Sequence, residues 1–155
     1  MGNYGSPLLV EEFVSGPEFT VGVLGNDDPS VLGVMQIEIK GSSPEEAIYS
    51  LEVKREWEEK VRYLCPPPID KDLLEKIEEV ALRSYRALEC RDVSRVDIRV
   101  GKDGTPYFLE INPLPGLSPV YGDLPIMAGR MGWEYDRLVK TIFHHALKRN
   151  GLMER

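Results

Sequence analysis

The sequence predicts an α+β domain, an antiparallel sheet with helices packed on one face. Three observations predict it. Two pairs of apolar, β-branched runs are each joined by a short loop rich in Gly, Asn or Asp, the pattern of antiparallel hairpins. Between and after them, apolar residues recur every three to four positions, as on helices that lean on a sheet. The chain has 155 residues and is 42% hydrophobic, enough for one ordinary domain with a real core.

Taken in order, Leu8-Leu9-Val10 is a β-type apolar run, and Gly16-Pro17 marks a turn. Phe19–Leu24 and Val31–Ile39 read as strands of a first hairpin around Gly25-Asn26-Asp27-Asp28-Pro29. Ser43-Pro44-Glu45-Glu46 opens a helix by local rules. Ser43 caps, Pro44 suits the first helical position, and Glu46 completes a capping box. That helix is expected over 45–63, and Pro66-Pro67-Pro68 stops whatever precedes it. Leu73, Leu74, Ile77, Val80, Ala81, Tyr85 and Leu88 mark an amphipathic helix. Ser94–Val100 and Pro106–Asn112 form a second hairpin around Gly101-Lys102-Asp103-Gly104. A Pro/Gly-rich loop then runs from Asn112 to Pro125, with a short helix near Ile126–Met131. The last helix is expected over about Tyr135–Arg149, where Lys148, Arg149 and then Gly151 give suitable C-terminal chemistry.

Charge and composition exclude several classes. Lys plus Arg is 19 and Asp plus Glu is 26, a net charge of −7 with no basic stripe, which argues against a nucleic-acid partner. No run approaches the ~18 apolar residues of a membrane span, and Met1 to Pro7 lacks the build of a signal peptide. Cys65 and Cys90 have no metal spacing and form no disulfide framework, so both are expected to be reduced and buried in a cytoplasmic protein.

The second hairpin carries the chemistry. Val96, Ile98 and Val100 are expected to face the core, so Arg95, Asp97 and Arg99 face the other way. On the partner strand Tyr107, Leu109 and Ile111 are the apolar set, leaving Phe108, Glu110 and Asn112 opposite. Directly opposed residues of an antiparallel pair project to the same side. Arg95, Asp97, Glu110 and Asn112 are therefore expected to converge on one face. Two carboxylates, an amide oxygen and no thiol form a hard donor set suited to Mg²⁺ or Mn²⁺ that share substrate phosphates. Arg95 adds a planar cation for an anionic intermediate. The loop that follows, Pro113-Leu-Pro-Gly116, allows close approach of a ligand to backbone N–H groups at Gly116.

At these residues the chain resembles the D-alanine–D-alanine ligase family, within the ATP-grasp superfamily. Arg95-Val-Asp97, Phe108-Leu-Glu-Ile-Asn112 and Pro115-Gly-Leu-Ser118 carry the resemblance. Glu11 to Gly25 is similar to the family's nucleotide-hinge segment. Leu51-Glu-Val-Lys54 with Tyr63-Leu-Cys-Pro66 is similar to its lysine-bearing loop. The resemblance implies that Glu11 and the backbone at Phe13 and Val14 meet the adenine of ATP. It implies that Glu18 takes the ribose hydroxyls and Lys54 a phosphate. Asp97, Glu110 and Asn112 would hold Mg²⁺ or Mn²⁺, two ions in all, while Arg95 and the Gly116 N–H steady a tetrahedral intermediate.

The resemblance also implies a reaction: a carboxylate takes the γ-phosphate of ATP, and an amine then attacks the acyl-phosphate. Leu51 and Arg55 stand where the family usually has tyrosines, and Pro119-Val120-Tyr121 where it has a Ser/Thr/His-rich stretch. These departures bear on which amino acids are joined. A ligase for other amino acids or peptides, and a non-catalytic nucleotide-binding relic, stand as alternatives.

Only the C-terminal portion of an ATP-grasp fold is represented. Residues 1–155 are read as that C-terminal domain, a fragment without the N-terminal substrate domain or the central ATP-binding subdomain. Its expected partners are small amino-acid substrates and the rest of the ligase polypeptide, with a homodimer left open. The isolated chain is expected to be inactive. Smaller features read as structural. His144 and His145 splay by about 100° on a helix and cannot chelate together. Trp57, Trp133, Met127 and Met131 are read as packing residues.

Overall fold

The computed structural model of the chain describes residues 9–43 and 56–153. Its elements in chain order are β1 (Glu18–Leu24), β2 (Ser30–Ile39), α1 (Trp57–Lys60), β3 (Val61–Leu64), α2 (Lys71–Ala87), β4 (Val93–Val100), β5 (Pro106–Asn112), α3 (Asp123–Arg130) and α4 (Tyr135–Arg149). The strands form one five-stranded sheet in the order β3-β2-β1-β4-β5, every neighbouring pair antiparallel. The α+β class expected from the two hairpins is the one observed. β1 and β4 pair directly, so the hairpins join into one sheet.

Alternation along the central strands divides the interior. Phe19, Val21 and Val23 of β1, with Val34 of β2 and Val96, Ile98 and Val100 of β4, meet Ile77, Ala81 and Tyr85 of α2. α2 starts where Asp70 accepts a hydrogen bond from the Leu73 N–H at 2.8 Å, closing the N-cap. Its far end is tied to the sheet by the buried Tyr85 hydroxyl, which donates to the Gly25 carbonyl at 2.6 Å. The same burial pushes the Tyr85 phenol far above its ordinary value.

The residues between those on β1 point to the other face, and α3 docks there. Gly22 and Gly33 sit opposite each other in the β1–β2 ladder. A Cβ on Gly22 would stand 2.7 Å from Leu124 Cδ1, and one on Gly33 2.8 Å from Met131 Cγ. Two missing side chains thus let α3 lie close. Met127 packs among Met35, Ile37, Val61 and Tyr63, while Leu124 and Ala128 join Leu24, Leu32, Val93 and Leu138 of α4. The helix-covered face expected from the sequence is the one under α2. α3 adds a second helical contact on the opposite face, alongside the polar residues of β4.

Several local expectations change. The helix expected over 45–63 does not extend through its last part: α1 spans Trp57–Lys60, and Val61–Leu64 is strand β3, paired with β2. Val61 and Tyr63 are buried and Arg62 is exposed, so alternation prevails over a helix-like composition. The capping-box residues Pro44 to Glu46, and Lys54, lie outside the described residues. Leu9 and Val10 belong to no strand and are 84% and 89% exposed. On β5, Tyr107 and Leu109 are exposed rather than core-facing, for a reason visible in the register. Met131 is partly exposed, and Cys65 is half-buried rather than buried.

Candidate functional site

Asp97 lies directly opposite Glu110 in the β4–β5 ladder, and Arg95 opposite Asn112. Beyond Asp97 the register slips: Ile98 faces Phe108, so Leu109 is an extra residue in a β-bulge. The bulge shifts the alternation of β5. Tyr107 pairs with Arg99, on the polar side, instead of sharing a side with Ile111. The four polar residues lie on the far side of the bulge from Tyr107, so their convergence survives the slip.

Asp97 is nearly enclosed, at 6% exposure. Its Oδ1 accepts from the Thr20 hydroxyl at 2.9 Å and from Arg95 Nε at 3.1 Å, and its Oδ2 accepts from an Arg95 terminal nitrogen at 2.7 Å. That terminal nitrogen also reaches Glu110 Oε1 at 3.4 Å. The other terminal nitrogen of Arg95 donates to Asp123 Oδ2 at 3.3 Å. Burial works against the Arg95 charge, but Asp97, Asp123 and Glu110 outweigh it and hold the guanidinium above its ordinary value. Asn112 accepts from the Leu114 N–H at 3.0 Å, which turns the chain out of β5. Glu110 keeps a largely exposed side chain.

A cleft of about 630 Å³ opens on this face. It is lined by Glu11, Phe13, Val14 and Glu18 on one side and by Asp97, Arg99, Tyr107 and Glu110 on the other. The two sequence segments singled out separately, the stretch before β1 and the second hairpin, therefore border one space. Gly116 is exposed, and a Cβ there would meet open space. Steric demand within the chain is thus no reason for a glycine at that position.

Among the described residues no group of three or more His, Cys, Asp or Glu could hold a metal ion. A divalent ion here would rest on Asp97 and Glu110, with the Asn112 amide oxygen in the same layer. Two carboxylates and an amide fit Mg²⁺, which completes its shell with waters and phosphate oxygens.

Sequence reasoning missed three residues. Thr20 lies opposite Asp97 across the β1–β4 pair, a contact that needs knowledge of which hairpins join. Alternation puts Arg99 on the polar face but gives it no role. It is 6% exposed, donates from Nε to the Gly16 carbonyl at 3.2 Å, and sets its guanidinium carbon 4.7 Å from the centre of the Phe13 ring. Asp123 comes from a loop-helix junction and carries no local sequence signal.

Comparison with known proteins agrees with this architecture. Residues 2–144 match the family model described as D-ala D-ala ligase C-terminus. A D-alanine–D-alanine ligase of Fervidobacterium nodosum is 34% identical over 143 residues, covering 92% of this chain and 43% of that protein. The crystal structure of VanG D-Ala:D-Ser ligase from Enterococcus faecalis superposes with a TM-score of 0.65 at 26% identity, over 86% of this chain and 37% of that one. The Bacillus anthracis D-alanine–D-alanine ligase complexed with ATP shares the fold, with a TM-score of 0.68 at 24% identity, over 94% of this chain and 42% of that one. The chain thus spans less than half the length of the relatives it matches. With a family match over nearly its whole length, this chain belongs to the D-alanine–D-alanine ligase C-terminal domain family.

Proposed function

We propose that this domain forms one wall of the nucleotide site of an ATP-dependent carboxylate–amine ligase. The observation that carries this reading is the pairing of Asp97 with Glu110, next to Arg95 and Asn112, on a cleft bordered by Glu11, Phe13, Val14 and Glu18. The ATP bound to the B. anthracis relative supports a nucleotide as the occupant.

In this reading Glu11 and the backbone at Phe13 and Val14 meet the adenine, Glu18 the ribose and Lys54 a phosphate. Mg²⁺ or Mn²⁺ held by Asp97, Glu110 and Asn112 would neutralise charge on the triphosphate. A substrate carboxylate oxygen bonds to the γ-phosphorus as the bond to the bridging oxygen breaks, and ADP leaves. A second substrate's amine then attacks the acyl carbon, loses a proton, and expels phosphate. Arg95 is fixed in plane by carboxylates on two sides, so it meets developing negative charge without reorganising. The Gly116 N–H stands at the turn beyond Asn112 as a second donor. The amino-acid substrates and the remaining subdomains belong to the whole polypeptide.

The test is calorimetric titration of the chain with Mg·ATP, followed by phosphate release from the whole polypeptide with D-alanine and D-serine. Weak, magnesium-dependent nucleotide binding by the chain and amino-acid-dependent ADP formation by the whole polypeptide are expected. Nucleotide binding unaffected by both Asp97→Asn and Glu110→Gln would refute the assignment.

A further inference from the structure

Arg95 meets carboxylates from three parts of the chain: Asp97 beside it on β4, Glu110 on β5, and Asp123 in the first turn of α3. The third differs from the other two. Asp97 and Glu110 are the proposed metal carboxylates, so each hydrogen bond Arg95 gives them competes with a cation. Asp123 lies 28 residues from Arg95 in the chain and is only 12% exposed. One of its oxygens accepts from Arg95 at 3.3 Å, and the other from the Tyr63 hydroxyl at 2.9 Å. Tyr63 is itself buried on β3, and its carbonyl accepts from Arg130 at the other end of α3 at 2.6 Å. Two hydrogen bonds therefore pin α3 to β3, one through Asp123 and one through Arg130. A carboxylate with both oxygens accepting from held donors acts as an anchor, not as a base.

We propose that Asp123, itself held by Tyr63, is a positioning residue that clamps the guanidinium of Arg95 at the edge of the carboxylate face. By engaging the terminal nitrogen that Asp97 does not hold, Asp123 stops the guanidinium from rotating about its two-point bond to Asp97. Glu110 keeps a largely exposed carboxylate available for a cation, and Arg95 keeps its place beside it. The clamp rests on the geometry alone; its effect on turnover rests on the ligase reading.

The experiment has two arms. In the first, solvent exchange of the Arg95 Nε–H is followed by NMR in the ¹⁵N-labelled full chain, with thermal melts to confirm folding. Asp123→Asn should speed exchange at least about fivefold and Tyr63→Phe about twofold, as a guanidinium loses a charged partner and that partner's anchor. Unchanged exchange in both variants would overturn the clamp. In the second arm, the whole polypeptide is assayed. Asp123→Asn should lower kcat by about tenfold or more with KM for ATP within about twofold, the mark of an interaction felt in the transition state. In an Arg95→Lys background the same substitution should cost little more, because residues acting as a unit are not additive. Additive losses would overturn the positioning role. Absence of any ATP-dependent ligation by the unaltered polypeptide would instead refute the ligase reading, and the exchange measurement would still decide the clamp.

Discussion

Thr20 and Asp97 face each other across the β1–β4 ladder, and the threonine hydroxyl donates to the aspartate Oδ1 at 2.9 Å. Both are buried, so the bond is made where water cannot replace it. Thr20→Val keeps the shape and removes the donor. It should cost about 1–3 kcal/mol in urea unfolding, the penalty of a buried polar group deprived of a partner. Thr20→Ser should recover most of that loss. Equal stability of the valine and threonine forms would show that Arg95 alone satisfies Asp97.

The carboxylates of the cleft should act together on cations. Asp97→Asn and Glu110→Gln should each weaken Mn²⁺ and Mg·ATP binding by about tenfold or more, since a hard cation loses an anionic oxygen. Asp103→Asn provides the control. Asp103 lies in the β4–β5 turn, where its carboxylate accepts from the N–H and hydroxyl of Thr105, and its loss should leave affinity unchanged. Calorimetry of the three variants side by side checks both halves.

Gly16 holds the entrance to β1 at φ +155°, and a Cβ there would run into the carbonyl oxygen of Val100. Gly16→Ala should destabilise by about 2 kcal/mol or more, because backbone must move on both sides of the contact. The Gly16 carbonyl accepts from Arg99, so the same change should disturb the Arg99–Phe13 stack that borders the cleft. Thermal melts and nucleotide affinity should therefore fall together.

Asp92 gives a pH signature far from the cleft. Partial burial opposes its charge, but hydrogen bonds from Arg149 and Asn26 prevail and hold the carboxyl below its ordinary value. A lowered folded value means that the stabilisation is present in full above about pH 4, where the unfolded carboxyl is ionised, and fades as pH falls further. Asp92→Asn keeps a residue type that tolerates φ +64° and removes only the charge. It should cost about 1 kcal/mol at pH 7, the value of a partly exposed charged hydrogen bond. The gap between wild type and variant should close below about pH 4, as the wild-type carboxyl also loses its charge. A constant gap from pH 7 to pH 2.5 would exclude this source.

The fold was legible wherever period and turn chemistry agreed. Both hairpins, α2 and α4 could be placed because alternating or three-to-four spacing was bounded by Gly, Asp and Pro. β3 was not, because a four-residue strand beside a run of Glu, Lys and Arg carries too few alternations to outweigh helix propensity. The pairing of Asp97 with Glu110 followed from alternation, since both lie close enough along β4 and β5 to escape the slip at Leu109. Tyr107 lies beyond the slip and was misplaced by it. Thr20, Tyr63 and Asp123 depend on sheet order and on the docking of α3, contacts that no local window of residues encodes.

β5 forms one margin of the sheet, with Tyr107, Phe108 and Leu109 all substantially uncovered. A flat apolar margin of this kind would template the addition of a foreign strand. The irregularity at Leu109 spoils that template midway, because an incoming chain with regular spacing would fall out of step with its N–H and C=O groups after two or three residues. The same irregularity that turns Tyr107 onto the polar side thereby also guards the molecule against fibril-like stacking along this rim.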